Sequence, residues 1–146
     1  MLDSSGERSN NYLYCGDEVA EGFVVPYESV AIPEIHHEVT ILKTRQVCVK
    51  GISYKVGDVL LLTFADEPEF VKITDIIVAQ NRKFFICIHL NILSFCSHMN
   101  SFSVEECSNS VTVEVTSLVY KWPQIAHAMD GGLFVMLYNC DEVWAL

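Results

Sequence analysis

The sequence lacks the signatures of the common metal and nucleotide sites. It has no C-x-x-C pair and no two histidines spaced four residues apart, and Gly131-Gly132 is not followed by Lys and Ser or Thr. The longest apolar run, 84–96, carries a His and an Asn and is too short for a membrane-spanning helix. Residues 1–10 lack the basic start and apolar stretch of a secretory signal. The lack of a secretory signal and of a membrane-spanning segment predicts an intracellular protein, in either the nucleus or the cytoplasm.

Basic residues are scarce: 9 Lys and Arg stand against 19 Asp and Glu, for a net charge of −10. Nucleic-acid affinity depends on neutralising phosphates, so an acidic chain disfavours a nucleic-acid partner and favours a basic protein partner. Six cysteines would allow disulfides, but Cys48 and Cys87 lie in apolar runs and the chain shows no export signal. Free thiols are therefore favoured over disulfide bridges.

The chain divides at residue 38 into an arm and one domain. Residues 1–38 are acidic and interrupted by Pro26 and Pro33, which predicts a partly flexible N-terminal arm whose segment 21–27 docks as an edge strand. Residues 39–146 have the size and apolar content of a single β-rich domain.

Short apolar or alternating runs separated by polar turns predict antiparallel strands within residues 39–146. A break in the alternation at Ile76-Ile77 indicates a bulge or a switch of the buried face. Residues 94–110 are predicted as a loop-rich connection with a short strand at 102–104, and 122–129 as one or two helical turns. The predicted fold is mainly β: a compact antiparallel barrel with one short helix and an N-terminal arm.

The segment Gly51-x-x-Tyr54-x-x-Gly57-Asp58-Val59 carries a family resemblance. It is similar to the turn that precedes the first long strand in SH3-like barrels, in particular the bromo-adjacent homology (BAH) type, and residues 70–77 resemble the next strand of that type. Leu118-Val119-Tyr120-Lys121-Trp122-Pro123 is similar to a segment of an uncharacterised β domain in animal proteins associated with mobile elements. The resemblance covers residues 46–138 and implies binding of a protein or chromatin partner without chemistry.

Aromatic and acidic side chains at predicted strand ends are the candidate binding residues. Aromatic rings flanked by carboxylates could hold a cationic side chain, such as a modified lysine. Core positions are favoured for Phe64 and Phe70, and exposed positions for Tyr54 and Trp122. The candidate set is Tyr54, Asp58, Phe64, Asp66, Tyr120 and Trp122. Glu67 and Glu69 flank Pro68 beside Asp66 and are interpreted as a solvated turn.

The soft-ligand cluster Cys96, His98 and Cys107 is the one arrangement that suggests a metal. Placed in one loop, these residues could supply three zinc ligands, with a fourth from His89, His36 or His37. Chance clustering in a cysteine-rich chain is favoured, so no metal and no cofactor are predicted. Acids beside Cys15, Cys107 and Cys140 oppose thiolate formation, and the chain is predicted not to be an enzyme.

These observations predict a non-enzymatic intracellular interaction module that binds a basic or modified-lysine peptide of a protein partner. Two alternatives stay open: a structural domain of a mobile-element-derived or truncated protein with no ligand of its own, and a zinc-ordered domain. The oligomeric state is left undecided.

Overall fold

The computed structural model describes residues 18–19, 22–26 and 40–138, which form antiparallel strands in two sheets and a single 3-10 turn, Val115–Ser117. The mainly β, antiparallel fold predicted from the sequence is thereby confirmed. In chain order the strands are β1 Glu18–Val19, β2 Gly22–Val25, β3 Ile41–Thr44, β4 Gln46–Val49, β5 Ile52–Lys55, β6 Val59–Phe64, β7 Pro68–Ala79, β8 Arg82–Cys96, β9 Ser101–Glu114, β10 Ile125–Met129 and β11 Gly132–Met136.

The larger sheet is organised by β7, which pairs with three other strands. Strand β8 runs along one edge of β7, while β6 pairs with the first half of the opposite edge and β3 with its last part. The sheet extends from β8 through β9 and β11 to β10, and from β3 to β2. The turn before β6 fills the gap between β6 and β3: the Gly57 N–H donates to the Ile73 carbonyl at 2.8 Å, and the Ile73 N–H donates to the Asp58 carbonyl at 2.9 Å.

The smaller sheet has the order β1–β4–β5. It is connected to the larger sheet where the chain enters β4 and where it leaves β5. The chain crosses between the sheets at Arg45, which separates β3 from β4. Where the chain leaves β5, the Val56 N–H donates to the Arg45 carbonyl at 2.9 Å. This arrangement fixes the small sheet over one face of the large sheet.

The large sheet buries apolar side chains on both faces. One face packs against Val47 and Tyr54 of the small sheet. Strand β6 shows the alternation that two buried faces require, because Leu60 joins the cluster under the small sheet while Val59 and Leu61 join the cluster on the other face. The second cluster consists of Val59, Leu61, Phe70, Leu90, Val104, Tyr120 and Val135.

The predicted break in β7 is a β-bulge. The pairing of β7 with β8 shifts between Ile73 and Asp75, so Thr74 is the extra residue, and its Oγ1 donates to the Ile86 carbonyl at 2.9 Å. Because of the bulge, Ile73 and Ile76 lie in the same core cluster despite their odd spacing. The prediction of a bulge or face switch is confirmed.

Three hairpins have two-residue turns in which both residues have positive φ, the signature of type I′ turns. This turn matches the right-handed twist of the flanking strands, and Gly or Asn readily adopts it at the second position. The turns are Lys50-Gly51, Gln80-Asn81 and Asp130-Gly131.

The prediction of a loop-rich connection over residues 94–110 is wrong, and the short strand expected at 102–104 is part of a longer strand. Strand β8 continues to Cys96, a four-residue turn covers 97–100, and β9 then runs for fourteen residues. Strands β8 and β11 lie on either side of the first part of β9 and satisfy its backbone groups. Most of its polar side chains face solvent without disturbing these bonds, which is why composition indicated a loop.

The helix predicted over residues 122–129 is also wrong, because β10 occupies most of this segment. Its hairpin partner β11 supplies the pairing, and the His127 ring stacks on Phe134 with centroids 6.0 Å apart. The proline and glycines that would limit a helix here instead flank a hairpin strand.

The strand ladders leave the larger sheet open within the described residues, so it is not a closed barrel. One isolated bridge joins Val59 of β6 to Gln124, the residue before β10, and the Gln124 N–H donates to the Val59 carbonyl at 2.8 Å. The edge strand β6 therefore meets the residue before β10, the strand at one end of the sheet, at a single point that is called here the seam.

The arm contributes the edge strand expected from residues 21–27, since β2 pairs with β3 across Gly22–Val25. The remainder of residues 1–38, apart from β1 and Pro26, lies outside the described part of the chain. Among the residues described, none belongs to a helix long and apolar enough to cross a membrane.

Candidate functional site

Tyr54 is a core residue, and the expectation that it is exposed is wrong. Only 1% of the residue is exposed, and its ring lies 4.9 Å from that of Phe85. Its hydroxyl donates to the Lys121 carbonyl at 2.5 Å. Burial, and to a smaller extent the Cys48 thiol, raises the pKa of Tyr54 to about 12. The β4–β5 hairpin turns this side chain toward the large sheet, so Tyr54 fixes the small sheet and the segment after β9 instead of contacting a partner.

Asp58 is engaged within its own turn. Its Oδ2 accepts a hydrogen bond from the Lys55 N–H at 3.0 Å, and its Oδ1 lies 3.3 Å from the Lys55 Nζ. A carboxylate bonded to the preceding backbone stabilises the tight turn that begins β6. The Gly57-Asp58 pair in the sequence is therefore explained by the structure of this turn.

The remaining predicted aromatic residues do not form a cage with Tyr54. Phe64 packs against the second core cluster, to which Tyr120 belongs, whereas Tyr54 lies in the cluster on the opposite face. Trp122 is 38% exposed, and its ring meets that of Tyr138 edge-on with centroids 6.3 Å apart. The expectation of an exposed Trp122 is confirmed, and so is the core position of Phe70, which joins the second cluster.

A depression of about 570 Å³ lies where the β6–β7 turn meets β8 and the irregular part of β9. It contains Asp66 of the predicted set. The pairing of β9 with β8 shifts between Glu106 and Ser110, which leaves Cys107 and Asn109 in a wide bulge at the rim. The full lining is Thr63, Ala65, Asp66, Glu67, Pro68, Glu69, His89, Leu90, Asn91, Ile92, Cys107 and Asn109.

The electrostatics of the depression are acidic. Glu69 is engaged, because its carboxylate lies 3.5 Å from the His89 Nδ1 and accepts a hydrogen bond from the Thr63 hydroxyl at 3.2 Å. Asp66 and Glu67 are exposed and form no ion pair with any other described residue. Their charges therefore remain available to a basic ligand.

The sequence indicated only part of this depression. In the sequence its acidic turn is visible as three carboxylates around Pro68, which indicate a solvated turn. The contribution of His89, Asn91 and Asn109 was missed because it depends on the register between β8 and β9. The polar run 108–110, directly before the alternation begins at Val111, is the signal that could have located the bulge.

The three candidate zinc ligands are not brought together. Cys96 and His98 adjoin in the β8–β9 turn, with Sγ and Nδ1 3.3 Å apart. Cys107 lies farther along β9, and the extended chain from Ser101, the partner of Cys96, spans roughly 20 Å at about 3.4 Å per residue. No group of three or more His, Cys, Asp or Glu side chains able to hold a metal occurs within 18–19, 22–26 and 40–138. The suggested fourth ligands His36 and His37 lie outside these residues, as do Cys15 and Cys140.

The described thiols are free, and burial separates Cys87 from the other three, Cys48, Cys96 and Cys107. Burial raises the pKa of the Cys87 thiol from its usual 9.0 to about 12. The reactive species is the thiolate, so Cys87 should be inert in the native protein.

We expect alkylation of the reduced native protein at pH 8 to label Cys48, Cys96 and Cys107, and to spare Cys87 until denaturant is added. Peptide mapping by mass spectrometry measures the extent of labelling at each cysteine. Between pH 9 and 12 the folded chain holds a proton on Cys87 that the unfolded chain releases. The contribution of Cys87 to the free energy of unfolding is therefore lost as the pH rises through this range. Equal labelling of Cys87 and Cys107 under native conditions would contradict the placement.

No family model, curated protein or solved structure matches the chain. Its function is therefore argued from the geometry of the depression and its charges.

Proposed function

We propose that this chain is a non-enzymatic interaction module that binds a basic peptide of a protein partner in the acidic depression. The observation that carries the proposal is the pair of exposed carboxylates of Asp66 and Glu67, which form no ion pair with a cation among the described residues and line a concave surface. Lys or Arg side chains of a partner would supply the missing positive charge. The net charge of −10 favours the same class of partner through long-range attraction.

The polar lining suits recognition of an extended peptide. Asn91 and Asn109 offer side-chain donors and acceptors beside the carboxylates, and Leu90 and Ile92 offer apolar contacts. Small sites of this kind combine an apolar base with a few polar groups that fix orientation. A plain lysine or arginine peptide fits this lining better than a trimethyl-lysine peptide, since none of the described residues that line it is Phe, Tyr or Trp.

The wider assignments belong to the same proposal. A small antiparallel domain whose β6 starts at the Gly57-Asp58 turn is consistent with the SH3-like or BAH-like class, and the seam at Val59 and Gln124 suits a nearly closed sheet. Free thiols at Cys48, Cys96 and Cys107 are consistent with a reducing intracellular location. A structural domain of a mobile-element-derived protein is the competing proposal.

Neutralising the depression is expected to weaken binding of a fluorescently labelled lysine-alanine repeat peptide. Since an exposed ion pair contributes about 0.2–1 kcal/mol, the double variant Asp66→Asn/Glu67→Gln should lose about 2- to 30-fold in affinity. The affinity should also fall with added salt, which screens exposed charges. Fluorescence anisotropy measures both effects, with the trimethyl-lysine peptide as a parallel ligand.

Asp130→Asn provides the matched control. It removes one exposed acid in another turn, at a residue with φ of 53° that asparagine adopts readily. Its affinity should equal that of the wild type. Failure of the wild type to bind either peptide, or equal binding by the double variant, would reject the proposal in favour of a domain without a ligand at this surface.

A further inference from the structure

The turn between β8 and β9 gathers soft metal donors that the proposed peptide site does not use. Cys96, the last residue of β8, is followed in this turn by Ser97-His98-Met99, which places a thiol, an imidazole and a thioether within four residues. Cys96 and Met99 are half-buried and His98 is exposed, so the donors border solvent and an ion can reach them.

The distance between two of the donors matches metal ligation. Cys96 Sγ lies 3.3 Å from His98 Nδ1. At the bond lengths that zinc shows, about 2.3 Å to a thiolate and about 2.0 Å to an imidazole nitrogen, a metal ion holds those two atoms roughly 3.5 Å apart at a tetrahedral angle and roughly 3.7 Å apart at the trigonal angle of a three-ligand site. A shift of a few tenths of an ångström at the exposed His98 therefore admits the ion between them.

The backbone of the turn is already ordered for this purpose. The Met99 N–H donates to the Cys96 carbonyl at 3.2 Å, and the Asn100 N–H donates to the Ser97 carbonyl at 3.2 Å. The hydroxyl of the fully buried Ser101 donates to the Met99 carbonyl at 3.0 Å. Because these bonds already order the backbone that carries the donors, metal binding would cost the chain little conformational entropy.

The number and softness of the donors distinguish between metals. Structural zinc requires four ligands, and the described residues add no third His, Cys, Asp or Glu near this pair. Thiolate and thioether donors select Cu(I), which is stable with two or three ligands. We propose that Cys96, His98 and Met99 form a binding site for one Cu(I) ion, with the thiol proton of Cys96 released to solvent as the thiolate coordinates the ion.

Anaerobic titration of the reduced full-length chain with Cu(I), in competition with bicinchoninate, tests the proposal. Cys96→Ser should lose one equivalent of tightly bound Cu(I). Since loss of even an outer-shell partner lowers metal affinity about 10- to 100-fold, His98→Gln and Met99→Leu should each weaken that equivalent at least tenfold. An equimolar amount of Zn(II) should leave it bound.

Cys107→Ser is the matched control, because Cys107 is also half-buried and lies on the strand that follows the turn. This variant should bind the wild-type number of Cu(I) ions. Cysteines elsewhere contribute equally to every variant. Equal Cu(I) binding by Cys96→Ser and wild type would overturn the site. Wild-type Cu(I) affinity in His98→Gln would show that the imidazole is only a hydrogen-bond partner of the thiol. Wild-type Cu(I) affinity in Met99→Leu would show that the thioether is not a ligand. Either result, or displacement of Cu(I) by Zn(II), rejects the three-donor site.

A spectroscopic readout separates ligation from a change in folding. Addition of Ag(I), a redox-inert substitute for Cu(I), should shift the imidazole resonances of His98 in the NMR spectrum while those of His127 stay unchanged. Unshifted His98 resonances at saturating Ag(I) would reject coordination by the imidazole.

Discussion

Replacement of Phe85 by alanine is expected to lower the free energy of unfolding by about 3–5 kcal/mol, the range for a large aromatic residue removed from a packed core. Phe85 is 0% exposed and lies in the cluster between the two sheets. Its ring contacts Tyr54, the residue that holds the small sheet over the large one. The substitution therefore removes buried apolar surface and also loosens the contact between the sheets.

Phe95→Ala is the matched control, since it makes the same chemical change in the same strand. Phe95 is 50% exposed and retains one ring neighbour, Phe102, at 4.9 Å. We expect the control to lose no more than about 1 kcal/mol, because exposed positions contribute little to stability. Urea unfolding followed by circular dichroism measures both values. Comparable losses in the two variants would contradict the assignment of the core to the space between the sheets.

Gln124→Ala should destabilise the chain by about 2–3 kcal/mol, since each buried polar group left unsatisfied costs about 1–3 kcal/mol. Gln124 is 6% exposed, and its side chain joins two segments at the seam. Its Nε2 donates to the carbonyls of Trp122 at 2.9 Å and Tyr138 at 3.2 Å, while its Oε1 accepts from the Tyr138 N–H at 2.8 Å. Alanine removes all three bonds at the seam, where β6 meets the residue before β10.

Gln46→Ala tests whether the effect belongs to the seam or to glutamine in general. Gln46 is exposed, and its side-chain amide donates to the Ser53 hydroxyl at 3.1 Å. A change within about 0.5 kcal/mol is expected there, as for most surface substitutions. Thermal unfolding of both variants gives the comparison, and a loss at Gln46 equal to that at Gln124 would remove the special role of the seam.

Local sequence signals were sufficient for the parts of the fold that depend on neighbouring residues. Alternation predicted β4, and the break at Ile76-Ile77 predicted a bulge or a switch of the buried face, which the structure shows as a bulge at Thr74. Gly57-Asp58 correctly marked the turn that begins β6. In each case the physical cause, a side-chain period or a backbone conformation, acts within a few residues.

The errors occurred where pairing between distant segments decides the structure. The polar residues of β9 suggested a loop because their solvated side chains resemble loop composition, yet β8 and β11 supply backbone partners that no local pattern reveals. The segment before Asp130 suggested a helix because Pro123 and Gly131 occur at positions that also suit helix ends. Its hairpin partner decided in favour of a strand.

The acidic character of the candidate site was predictable from the sequence, but the set of residues that line it was not. Asp66 and Glu67 were visible as an acidic turn, but their approach to Asn91 and Asn109 follows from strand register and from an irregularity in β9. Tyr54 was misplaced because its ring and its hydroxyl both have partners far along the chain, Phe85 and Lys121. Side chains of this kind show their burial only once the sheets are assembled.

The seam between Val59 and Gln124 also has a consequence for folding kinetics. Most strand pairs among the described residues join consecutive strands, and those that are linked by short turns close short loops and form early. The seam joins residues that are far apart in the sequence, so its loop-closure entropy is offset only after the intervening strands have assembled. Loss of the Gln124 bonds should accordingly appear as faster unfolding with little change in the folding rate, the behaviour of a contact absent from the transition state.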